Sequence, residues 1–175
     1  MNHGASKRGA RAVPAPTGPP PVRHDGHRTH RKENHLMTTT SVAPLTTADA
    51  EALVAAAVEA AEKAGVTVSV TVLDAGGHLL AFRRDDRAVL ISGETSTRKA
   101  YTALQLNAPT ADLVDAVQPG GLFHTLPTAL DRPLLFIAGG VPVRRDGRLI
   151  GAVGVGGGAP EQDHGFATAA VESLA

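Results

Sequence analysis

The chain has no cysteine and no tryptophan, a single tyrosine (Tyr101) and only four phenylalanines. Without cysteine there is no disulfide, no thiolate metal site and no thiol nucleophile. With aromatics at 3% of residues, the 42% hydrophobic content rests on small side chains, many of them Ala and Val. Such a core buries little area per residue, so a domain built on it gains stability by self-association. No apolar run approaches the roughly 20 residues that a membrane-spanning helix needs. The zinc-protease pattern H-E-x-x-H is missing, and Ser92, Ser96 and Ser173 all stand outside any G-x-S-x-G, which removes local support for a serine hydrolase.

The formal net charge is zero, but it conceals a split. Residues 1–36 carry seven Lys/Arg against only Asp25 and Glu33, while the remainder is acidic by the same margin. An acidic folded part argues against nucleic-acid binding. The basic start lacks the 7–15-residue apolar stretch of a secretory signal, which points to a cytoplasmic protein. Residues 1–44 are rich in Pro, Gly, Arg, His and Thr and poor in large apolar side chains. Burial there cannot offset ordering entropy, so a disordered leader is expected, with the domain proper at 45–175. His24, His27, His30 and His35 give that leader a second reading as a metal-binding arm, and a natural start at Met37 gives it a third.

From Leu45 to Gly65 the pattern predicts a helix. Thr46 is an N-cap, Asp49 follows three residues on, and Leu53, Val54, Ala57, Val58 and Ala61 make one apolar stripe. Glu59 and Glu62 share a face, either solvated or able to seat a hard cation. Val66–Asp74 and His78–Arg84 read as strands around Ala75-Gly76-Gly77. Leu90–Leu106 has helical spacing, Ala111–Val117 is a short helix opened by Pro109 and Thr110, and Leu122–Leu130 holds a helical turn. Leu134–Ala138 reads as a strand, and Val141–Arg144 pairs with Arg148–Val155 across Asp146-Gly147, a type I′ turn signal. A last helix starts near Pro160. The order α-β-β-α-α-β-β-β-α predicts an α+β domain with a five-stranded antiparallel sheet and helices packed on it.

Gly154-Val155-Gly156-Gly157-Gly158-Ala159 fits G-x-G-x-x-A between a strand and a helix, the context of a dinucleotide loop. The acidic residue expected about 20 positions later has no room, and no βαβ unit surrounds the motif, so a close-packed glycine corner is the better reading. Three histidines remain in the folded part: His78, His124 and His164. An imidazole is an apt metal or haem-iron ligand, and position ranks His78 and His124 above His164. Arg98 and Lys99 lie beside Tyr101 on the central helix and suit a ligand's carboxylates. Glu94, four residues before Arg98, offers an intrahelical salt bridge as the rival explanation.

Taken in order, VTVLDAGGHLLAF, RKAYTALQL, QPGG and GGVPVRRDGRLIGAVGVGGGAPEQD resemble the GlcG/HbpS-like haem-binding family, whose module also forms the C-terminal domain of PduO-type cobalamin adenosyltransferases. The resemblance runs from about Leu45 to the end of the chain. It implies a five-stranded α+β fold, homo-oligomers as large as octamers, and haem as cofactor, with members described as haem-degrading or iron-binding. The matching residues include Asp74, Gly76, Gly77, His78, Lys99, Tyr101, Gly120, Gly121, Gly139, Gly140, Gly157, Gly158, Glu161 and Asp163. The expectation is a cytoplasmic, oligomeric haem-binding protein for storage, sensing or turnover. His78 or His124 would approach the iron, and Arg98 or Lys99 the propionates. The alternative is a cofactor-free isomerase or lyase whose acid–base groups are drawn from His78, Lys99, Tyr101 and His124. An accessory assembly protein without a small-molecule site is a third reading.

Overall fold

The computed structural model describes residues 42–174 together with Gly18. The expected leader, its histidines and the start at Met37 therefore lie outside the described residues, apart from Gly18 and residues 42–44. Helix α1 spans Thr47–Lys63 and begins as its sequence requires: the Thr46 hydroxyl accepts from the Asp49 amide, and the Asp49 carboxylate accepts from the Thr46 amide. Leu53, Val54, Ala57, Val58 and Ala61 are buried, so the apolar stripe is the face that meets the sheet and the last helix. Strands β1 (Ser69–Asp74) and β2 (Leu79–Arg84) form the first hairpin, and helix α2 (Ile91–Leu106) follows. Two single 3-10 turns, Thr110–Leu113 and Asp115–Val117, and one turn of helix, α3 (Leu126–Ala129), fill the long connection. Strands β3 (Gly140–Arg145) and β4 (Arg148–Gly156) make the second hairpin, and α4 (Pro160–Glu172) ends the fold.

All strand pairs are antiparallel, in the order β2-β1-β4-β3. Asp146 and Gly147 both have positive φ, as a type I′ turn demands. The class α+β holds, but the sheet has four strands rather than five. Leu134–Ala138 is irregular chain. A hairpin needs at least a two-residue turn, and Gly139 alone separates this run from β3. The Leu135 amide is instead satisfied by the Thr102 hydroxyl on α2, at 2.8 Å. The short helix expected over Ala111–Val117 is likewise tightened into the two 3-10 turns.

Helix α2 lies on a strip of glycines. A Cβ on Gly154 would sit 2.0 Å from the Ser96 carbonyl oxygen, and one on its register partner Gly140 would sit 2.2 Å from that of Lys99. The glycine-rich end of β4 therefore serves helix–sheet contact, as the close-packed reading holds. Where β1 passes under α2, hydroxyls take over: Ser69 bonds Ser92 at 2.8 Å, and Thr71 bonds Ser96 at 2.9 Å. All four residues are buried, and each hydroxyl is partnered, so their burial carries no unpaired-group penalty.

Candidate functional site

Residues 134–138 join no ladder, and they wall a cleft against the first turn of α4 before Gly139 rejoins the sheet through its carbonyl, which accepts from the Val155 amide. On one side of Ile137 and Pro160 the cleft opens into a cavity of about 450 Å³, lined further by Ala111, Val114, Phe136, Ala138, Glu161 and His164. On the other side, the same two residues border a cavity of about 270 Å³ reaching Val89, Ile91 and Thr95 on the start of α2, with Lys99 and Asp163 at its floor. The larger cavity falls in the size range of small-molecule sites, and its walls are mostly apolar.

The floor is a buried ion pair. Lys99 Nζ donates to Asp163 Oδ2 at 2.7 Å, and both side chains are almost fully buried. The Gly158 amide donates to Asp163 Oδ1 at 2.9 Å. Burial pushes the Asp163 carboxyl above its ordinary range, while the Lys99 ammonium and the glycine amides pull it back. The pair fastens α4 to α2 and to the glycine corner at the end of β4. Its charges match each other, so the ammonium is not a spare cation for a ligand.

His164 stands one residue beyond Asp163. Its Nδ1 is shut off from solvent and has no hydrogen-bond partner, and it is the one such side-chain atom among the described residues. Buried polar atoms are nearly always paired, which makes this nitrogen an exception among the described residues.

The other candidates lie apart. His78 is exposed at the first hairpin, with Nδ1 held 3.2 Å from the Asp74 carboxylate. That carboxylate also accepts from the Gly76 and His78 amides, and these bonds hold its pKa below the ordinary value, the His78 amide most of all. His124 is exposed too, its Nδ1 3.2 Å from the Gly121 carbonyl oxygen. Arg98 pairs with Glu94 on the open side of α2, the rival explanation offered by spacing. Tyr101 is half-buried, with the Arg132 guanidinium stacked 3.6 Å from its ring centre. None of His78, Arg98, Tyr101 or His124 lines the two cavities of the cleft; Lys99 does. Glu59 bonds Lys63 and Glu62 lies 4.0 Å from Arg83, both exposed. No cluster of three metal-ligating side chains occurs among the described residues.

Position ranked His164 last, and the feature that singles it out is tertiary. The available signal was the stripe of α4: Asp163, Phe166, Ala167 and Ala170 face inward, and residue 164 adjoins that face.

Residues 45–172 match the model of a family described as haem degrading protein HbpS-like. The chain is 38% identical over 140 residues to the corrinoid adenosyltransferase PduO of Salmonella typhimurium, covering 80% of this chain but only 41% of that protein. Among solved structures, a PduOC:haem complex superposes with a TM-score of 0.72 at 37% identity, covering 75% of this chain and 95% of that one. The structure of HbpS superposes with a TM-score of 0.70 at 37% identity, covering 79% and 95%.

Proposed function

The chain belongs to the HbpS-like family of haem-degrading proteins, and on that premise we propose that it binds haem in the cleft between α2, residues 134–139 and α4. The observation that carries this reading is the cleft itself, mostly apolar on its walls and bordered by the His164 side chain. Both features suit a flat apolar macrocycle with a metal at its centre. Phe136, Ile137, Ala138 and Val114 would pack against the ring. Bound haem would bring an iron centre to be stored, sensed or turned over. The contribution of the chain is to shield the ring from water and to fix its position.

The same reading includes self-association in the cytoplasm. Leu90 at the start of α2 and Leu122 in the long connection are 82% and 83% exposed, beside the exposed Val89, Ile91 and Phe123. Apolar patches of this kind are covered in assemblies. Among the described residues no helix is long and apolar enough to cross a membrane.

Titration of the purified protein with haemin, followed in the Soret region, tests the reading. A saturable shift is expected; a spectrum that only adds free haemin to free protein removes it.

A further inference from the structure

We propose that the outward stripe of α2 packs antiparallel against the same stripe of a second copy of the chain, about a two-fold axis level with Ser96. This rests on the self-association reading and adds its face, orientation and register.

Helix α2 turns Ser92, Ser96, Lys99, Ala100 and Ala103 inward, and all five are buried. Its other side carries Ile91, Glu94, Arg98, Tyr101 and Gln105, spaced by three, four, three and four residues. That spacing makes one continuous seam, the kind through which two helices pack. The first half of the seam is open to solvent. Ile91 is 65% exposed, Leu90 stands just before it, and the Glu94 side chain is 61% exposed. Phe82 of the neighbouring β2 is also exposed, and a Cβ on Gly93 would come within 3.2 Å of its ring, so it lies along the flank of the helix and widens the apolar surface there.

The seam is complementary to itself. Turned end for end about the level of Ser96, it sets Glu94 opposite Arg98 of the second copy and Ile91 opposite Tyr101, in both directions. Within one copy Glu94 and Arg98 already pair one turn apart. The axis would bring two such pairs together as a ring of alternating charge, in which each carboxylate meets a second guanidinium. A parallel arrangement would set Glu94 on Glu94 and Arg98 on Arg98, and like charges in register oppose it. A two-fold contact uses the same surface on both partners, so a charge pattern that answers itself is what it requires. The overlap from Ile91 to Tyr101 spans about 15 Å of helix.

Charge reversal in the full chain tests the arrangement. Size-exclusion chromatography with light scattering is the readout, and thermal unfolding of each variant is recorded beside it. Both residues lie on the surface, so Glu94→Arg and Arg98→Glu should unfold close to wild type. Each variant puts like charges across the axis. Each alone should therefore run as a smaller species than wild type, with self-association at least about tenfold weaker. Mixed in equal amounts, the two variants set an all-basic seam against an all-acidic one, and the wild-type size should return. A role confined to the intrahelical pair, which both variants lose, gives no such rescue on mixing. Single variants that keep the wild-type size, or a mixture that stays small, overturn this arrangement and leave self-association standing. A monomeric wild type ends both.

Discussion

At the scale of single residues, the fold depends on how buried charge and buried hydroxyls are matched. Lys99 and Asp163 are 64 positions apart in sequence and meet at 2.7 Å under the cleft. Removing one partner strands the other, whereas replacing both with apolar groups removes the need for either. Lys99→Met should therefore destabilise the protein by about 3–5 kcal/mol. The double variant Lys99→Met/Asp163→Leu should recover most of that loss, as measured by denaturant unfolding of the set. A double variant as unstable as the sum of the singles contradicts the account. The titration of Asp163 has a defined sign. Its folded pKa stands above the ordinary 3.8, chiefly through burial. The stability this carboxyl contributes is thus fully present below its unfolded pKa and is lost as pH rises through the folded one. Measured against Asp163→Asn, wild-type stability should decline across that interval. A rise there would place the folded pKa below 3.8 and contradict the direction.

Among the elements, the decisive contact is α2 on the glycine strip of β3 and β4. With a Gly154 Cβ only 2.0 Å from a main-chain oxygen, no side-chain rotation relieves the clash, and helix and strand must separate. Gly154→Ala should cost at least the ~1–3 kcal/mol typical of an overpacked core. Gly165→Ala, whose Cβ meets nothing within 4 Å, should be neutral or stabilising. Thermal unfolding of the two variants checks the contrast, and equal losses would contradict it.

The elements also show what the sequence could convey. Helix α1 and the second hairpin were legible because their signals are local: a hydroxyl–carboxylate cap at Thr46 and Asp49, and Asp146-Gly147 where φ must be positive at both residues. The run Leu134–Ala138 looked like a strand because its composition suits one. Its pairing was decided by Thr102, 33 positions away from Leu135, and by the lack of a turn before β3. The site followed the same division. The glycine motifs gave away a close-packed corner, since glycine is required wherever a backbone comes this near. The isolation of His164 Nδ1 and the neutralisation of Lys99 depend on what lies across the fold, and no spacing rule carries that.

For the molecule as a whole, a core of Ala, Val and a few Leu is combined with large apolar side chains left outside. Leu53, Leu73 and nine valines are among the buried residues, with Phe166 the only buried aromatic among the described residues. Leu90, Ile91 and Leu122 are exposed instead. We propose that they are covered by other copies of the chain. Size-exclusion chromatography with light scattering should give an oligomer for wild type and a smaller species for Leu90→Glu/Ile91→Glu. A monomeric wild type would contradict the proposal.

The location of the ligand is the central claim, and a haemin titration of Ile137→Asp tests it most directly. Ile137 is 42% exposed and borders both cavities, so a carboxylate there should leave the fold intact while charging the cleft. The account predicts saturable binding by wild type and an affinity lower by at least about tenfold in the variant, the cost of ~1.4 kcal/mol at the site. Equal affinity in the two folded proteins would contradict it.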